Sequence, residues 1–414
     1  MKEQILTLSP QVALNTSSLS RVSSLDIQRG WLMVIMAAIH SLEFANVDRY
    51  GNNSWQEPAV WESTSLFDLV CQALTLCASG GFFFLMGLSI VFLLESRLAK
   101  GWSWHKICRY LAVRGSFIIF LQISLIQLFK LISEQKFALH FGVLFTLGTC
   151  MIIASVLILI SEKLKNIFNL KTDILQYLFP LLIAVIILVG LQISLDNNHY
   201  QGLSESTLQM LLFVGGSFKF LGLEIDIDFA PLSWLPGVAF GLIFGKIMLS
   251  KKESAFVIFG RLAMLCLASW IALRLCNMFG LFHFGDYKFF ESGHVPALSS
   301  FFLLSKYPPS IGFYLWALGF NLSGIVIWYK LQTALPSISR LLAPIEAFGR
   351  SALYFFVVHW YVYYTLGLVI PHNQNILQNW FFMWILGLII LYMLCQRFYH
   401  FKIRQPSNSL WRMF

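Results

Sequence analysis

Apolar runs recur along the chain at approximately 30–46, 70–94, 111–129, 140–160, 174–195, 232–249, 255–274, 309–330, 350–370 and 376–396, with short polar stretches between them. Each run is as long, or nearly so, as the roughly 20 residues a helix needs to cross a bilayer's hydrocarbon core. The pattern predicts an all-α, polytopic bundle of about ten transmembrane helices. A further apolar stretch near 206–223 is interrupted by Gly215, Gly216 and Lys219, which predicts a re-entrant or surface segment on the outer side. The loop 95–110 (ESRLAKGWSWHKICRY) mixes basic residues with two tryptophans and reads as an amphipathic interfacial helix.

Composition agrees with lipid as the solvent. Apolar residues make up 57% of the chain and charged residues 12%, against about 25% charged in soluble domains. The distribution of charge then orients the chain. With both termini inside, the inner segments hold 22 of the 29 Lys and Arg, as the positive-inside rule requires. Counting 206–223 as a span would put Lys251 and Lys252 outside and break that bias. The expected organisation is a polar tail over 1–25, a transmembrane domain over 26–396 and a basic cytoplasmic tail over 397–414. The tail over 1–25 lacks a basic start followed by an apolar stretch, so the first span is expected to direct insertion into the cell membrane. Basic residues form no stripe interleaved with aromatics, which excludes a nucleic-acid partner. The seven cysteines form no CxxC pair and read as small buried hydrophobes.

Ionisable residues inside such a chain mark candidate chemistry, because lipid makes them expensive. In SLDIQRGWLMVIMAAIHSLEF, Arg29 and His40 stand eleven residues apart on one helix face, roughly 16 Å along the axis. Glu43 follows one turn later. Arg29 at the inner end suits an anionic group, and His40 suits a general base oriented by Glu43. An arginine snorkelling to the interface and a histidine bonded to a backbone carbonyl would account for the same pair. A second cluster gathers Trp234, Arg274, His283, Asp286, Lys306 and Tyr307 towards the leaflet of His40. His283, Asp286 and His294 match no ligand signature, so no metal is expected. His359 lies near mid-membrane. Arg109, Arg114, Arg261 and Arg350 stand at inner span ends, where they could frame phosphates or merely follow topology.

The segments LDIQRG…MAAIH, ASGGFFFLMGLS, PLSWLPGVAFGLIFG, LR…FGD, SSFFLLSKYPPS…ALG and FGRSALYFFVVH occur in one order over about residues 21–370. In that order the chain resembles the bacterial branch of the heparan-α-glucosaminide N-acetyltransferase-like catalytic domain family. The Arg29-x10-His40 pair is also similar to the signature of the wider transmembrane acyltransferase superfamily. The resemblance implies a membrane acyltransferase that takes acetyl-CoA or another acyl-CoA from the cytoplasm. Its acceptor would be a sugar or glycan hydroxyl or amine on the other side. It makes His40 the base and puts Arg29 on the CoA side. Lys306, Tyr307 and His359 occupy motif positions without a fixed role, and Asp68 matches only partly. The lysosomal member has Asn at the His40 position and its catalytic histidine in the following loop, whereas residues 41–67 here hold none. Either His40 takes the role or this branch has left acetyl transfer. A homodimer is left open, and the rival reading is a transporter or flippase for a small polar or amphiphilic solute.

Overall fold

The computed structural model describes residues 23–45, 66–135, 137–169, 175–196, 206–279, 281, 301–302, 304–370, 376–406 and 409–414. Its long helices are α1 (Ser23–Phe44), α2 (Leu66–Leu98), α3 (Trp104–Glu134), α4 (Val143–Ile167), α5 (Leu175–Asp196) and α6 (Pro231–Lys251). They continue with α7 (Ser254–Met278), α8 (Ile311–Ala334), α9 (Ile338–Arg350), α10 (Ala352–Val369) and α11 (Ile376–Arg404). Nine of the described helices are long and apolar enough to cross a membrane. The chain is therefore a multi-pass membrane protein built as a helical bundle. α1 falls short of that apolarity because it carries Asp26, Arg29, His40 and Glu43, yet most of it is buried among the other helices. With α1, each of the ten expected spans coincides with a helix.

Small residues set how closely these helices approach. At Gly30 a Cβ would stand 1.8 Å from the Ile345 carbonyl oxygen, and at Gly349 a Cβ would stand 1.8 Å from that of Asp26. α1 and α9 thus touch backbone to backbone, and the residues next to these glycines, Arg29 and Arg350, arrive at one place. α2 crosses α6 in the same way at Gly87 and Gly241. Buried polar groups on these helices are bonded to one another: Gln28 donates to Asn321 Oδ1 at 2.9 Å and accepts from Trp328 Nε1 at 2.8 Å.

At four places the structure adds to or departs from the reading of the sequence. The segment near 206–223 lies at the surface, as the second of the two expected alternatives has it. It forms a helical turn ending at Val214 and then a hairpin of β2 (Gly216–Phe220) and β3 (Leu223–Ile227). Leu221 and Gly222 both take positive φ at its tip, the backbone a two-residue hairpin needs. In β3 the apolar Ile225 and Ile227 alternate with Glu224 and Asp226, the period of two of a half-buried strand. β3 also pairs in parallel with β1 (Ala138–Phe141). The loop 95–110 is not an interfacial helix. α2 and α3 nearly meet across residues 99–103, and Ser103 caps α3 by accepting from the Lys106 amide. The Arg97 guanidinium lies 4.6 Å from the Trp102 ring centroid, so the basic–aromatic mixture closes a turn. α9 is an additional short helix with one apolar face. Within the stretch 397–414, α11 runs to Arg404 and Phe414 folds back onto Phe117 and Phe398.

Candidate functional site

Two cavities lie end to end along α1. We call the Lys/Arg-rich end of the bundle the inner end. The inner cavity, about 310 Å³, is lined by Arg29, Ser89, Arg114, Arg350 and Lys402 around a body of Met, Leu, Ile and Phe side chains. Arg29 donates to Asp26 Oδ1 at 2.9 Å and Ser89 Oγ at 2.8 Å. Arg350 pairs with Glu346. The Nε donors of both Arg114 and Arg350 are buried with no acceptor among the described residues. Such donors suit an anionic ligand, since a guanidinium is expensive to bury unsatisfied. Lys402 donates to the Phe414 carbonyl at 2.6 Å, so the folded-back segment closes one side.

The outer cavity, about 870 Å³, holds His40, Glu43, Lys306 and Tyr307. Sequence reasoning missed Gln122, Lys130, Glu134, His140, Asp226, Asp228 and Trp360, which line it as well. A π-turn over Gln122–Ile126 explains part of this group. One extra residue per turn brings Gln122 and Gln127 to the same face. Their amides then donate to the carbonyls of His140 and Ala138 at 3.0 and 2.5 Å, fastening β1 to α3. His140 pairs with Asp228 at 3.2 Å and Lys130 with Glu134 at 2.5 Å. Lys306 makes no hydrogen bond or ion pair among the described residues; its ammonium lies 4.9 Å from the Tyr307 ring centroid. Burial pulls its pKa down to about 8, with Asp228 opposing the shift.

His40 is held by His359, not by Glu43. His40 Nδ1 and His359 Nε2 are 2.8 Å apart, and His359 Nδ1 is 2.6 Å from the Phe356 carbonyl oxygen. Among the described residues no hydrogen bond links Glu43 to His40, although both face the cavity. A carbonyl oxygen can only accept, so His359 Nδ1 carries the proton. With both rings neutral, His359 Nε2 then accepts from His40 Nδ1–H. That leaves the lone pair of His40 on Nε2. Trp360 stacks on the His40 ring at 4.3 Å between centroids. The arrangement fixes one tautomer of a histidine at the edge of the outer cavity, which is what a general base requires. The sequence signal for the pair was only that two histidines lie in apolar runs.

The cavities meet at one aromatic layer. Phe82 and Phe356 line both, with rings perpendicular at 89° and centroids 6.5 Å apart. Other expected site residues are not brought together here. Arg109 and Arg261 are exposed and line neither cavity. They follow the topology, because each faces outward from its helix. Trp234 is fully buried in an aromatic cluster with Phe83, Phe229 and Phe313. Arg274 is buried but away from both cavities. The side chain of Asp68 and all of His283 and Asp286 lie outside the described residues. No protein-family model matches the chain, and no curated protein matches it either.

Proposed function

We propose that this chain is an integral membrane acyltransferase of the cell membrane that draws on acyl-CoA from the inner side. It passes the acyl group, acetyl for preference, to a hydroxyl or amine of a sugar-type acceptor in the outer cavity. One observation carries the reading: an arginine-lined cavity and a histidine-lined cavity abut across a single aromatic layer, with Arg29 in the first and His40 in the second. Their separation, roughly 16 Å along α1, suits an extended pantetheine arm with its phosphates at Arg29, Arg114 and Arg350. The resemblance of the sequence segments to acyltransferases points the same way.

In this reading His40 Nε2 takes the proton from the acceptor O–H or N–H. The acceptor atom forms a bond to the thioester carbonyl carbon, the C–S bond breaks, and the proton passes from His40 to the leaving thiolate. His359 and Phe356 keep Nε2 aimed at the cavity throughout. The test is slow hydrolysis of acetyl-CoA by the purified protein, with water standing in for the acceptor. His40→Ala is expected to lower it at least a hundredfold; an unchanged rate would remove His40 from the chemistry.

A transporter is favoured by the same two cavities, since opposed cavities with a thin barrier also suit alternating access. Solute uptake into vesicles, with no acyl-CoA bound by the protein, would select that reading.

A further inference from the structure

The barrier between the cavities is one helical turn thick. Met33 lines the inner cavity and Met36 the outer, a rise of about 4.5 Å along α1. Among the described residues, only Phe82 and Phe356 line both. Their surroundings constrain them unequally. Phe356 is 6% exposed, and its carbonyl holds His359 Nδ1 at 2.6 Å. Phe82 is half-buried and follows Gly80 and Gly81. A Cβ on Gly81 would stand 2.4 Å from Leu32 and one on Gly80 2.6 Å from Ala317. The α2 backbone is therefore pinned against α1 and α8, and the Phe82 side chain reaches from it to the Phe356 ring.

We infer that Phe82, backed by Phe356, sets the length of acyl group this protein transfers. The inference rests on the acyltransferase reading. A thioester held from the inner side must present its carbonyl to His40 at this layer. Whatever extends beyond the carbonyl then enters the outer cavity. That cavity is lined by Glu43, Lys306, Asp226 and other polar groups as well as by Ile39, Ile126 and Phe229, so methylenes placed there stay partly beside polar groups and gain less from burial than in a closed apolar hollow. The Phe82 ring fills apolar space at the layer, beside Met33, Met36 and Phe356, in which such methylenes could lie. A short acyl group keeps its few atoms at the layer; a longer one must lay its methylenes partly among the polar groups of the outer cavity. Removing the ring opens an apolar hollow at that point, and burying two extra methylenes in it is worth roughly a tenfold change in rate.

The experiment compares hydrolysis of acetyl-CoA and butyryl-CoA by the full-length protein, by Phe82→Ala and, in case that variant folds poorly, by Phe82→Leu. The wild type is expected to favour acetyl, and the butyryl-to-acetyl ratio to rise about tenfold in Phe82→Ala and less in Phe82→Leu. An unchanged ratio in a variant that turns over acetyl-CoA overturns the inference and leaves the reading standing. A second measurement needs no turnover. Met36→Cys, with and without Phe82→Ala, is treated in inside-out vesicles with thiol reagents of graded length. Labelling from the inner side only when Phe82 is replaced supports the layer as the size barrier; equal labelling in both overturns it. If no variant consumes acyl-CoA, the acyltransferase reading fails, and with it the acyl-length role, whatever the labelling says about the barrier.

Discussion

Replacing His359 by leucine tests the histidine pair with little change in volume. The site is fully buried, at 0% exposure, and leucine fills it without a polar atom. The change removes the nitrogen that stands 2.8 Å from His40 Nδ1 and the donor that stands 2.6 Å from the Phe356 carbonyl. Each such bond is worth about 1 kcal/mol net, so the fold loses roughly 2 kcal/mol, partly offset by leucine's burial. The functional loss is larger. Without an acceptor for its Nδ1–H, the His40 tautomer with its lone pair on Nε2 loses about 1 kcal/mol of preference, roughly a fivefold change in the tautomer ratio. The ring is also released from one side, and a misplaced base alone can cost a hundredfold. The expected outcome is a drop of about a hundredfold in acetyl-CoA hydrolysis, read as thiol release. His359→Gln, whose carbonyl can stand where Nε2 stood, should recover part of it. The ¹⁵N spectrum of the His40 ring gives an independent readout, with Nδ1 protonated in the wild type and mixed in His359→Leu. A leucine variant with wild-type rate and wild-type ring spectrum would refute the role of His359 in orienting His40.

Three further outcomes follow from other parts of the site. Gly30→Leu drives a side chain into the Ile345 carbonyl, 1.8 Å from where its Cβ would stand; loss of folded protein in size-exclusion chromatography is expected, and a normal monodisperse yield would contradict the backbone contact. Arg114→Gln and Arg350→Gln should each weaken acyl-CoA binding about tenfold by calorimetry, as expected for one lost charge-assisted contact; unchanged affinity in both would place the phosphates elsewhere. Lys306 has its pKa lowered from 10.5 to about 8. Between those values the unfolded chain binds more protons, so stability should climb with pH across that window and be lowest below it. The shift corresponds to at most about 3 kcal/mol, nearer 1–2 once cavity water is allowed for. Lys306→Met should remove the climb in thermal unfolding measured from pH 7 to 10; a parallel climb in the variant would assign it to another group.

The bundle was legible because its main signal is one-dimensional. A run of twenty apolar residues is a span whatever it packs against, and the Lys/Arg count separates the ends. The elements that were missed carry weaker or shared signals. α9 is 13 residues long, too short to register as a span, and its role comes from touching α1 at two glycines. β3 hides a period of two inside a stretch whose overall apolarity suggests helix. The π-turn at Gln122–Ile126 has no sequence mark at all.

The site divides along the same line. Arg29 and His40 were legible because one helix fixes their spacing and facing, so local geometry carries straight into three dimensions. His359 could be flagged as a histidine in lipid but not matched to His40, because 319 residues separate them and only the meeting of α1 with α10 joins the rings. The choice of Glu43 as partner went wrong for a related reason: proximity in sequence offered a neighbour, whereas the fold supplied a buried one. A solvent-facing carboxylate competes with water for the imidazole, while His359 at 0% exposure has no water to prefer. The same reasoning explains why Arg109 and Arg261 separate from Arg114 and Arg350. All four satisfy the positive-inside rule, but only a residue on the enclosed face of its helix can join Arg29. Charge bias finds the end of a membrane protein at which an anion could bind, and helix facing decides which of the charges there can reach it.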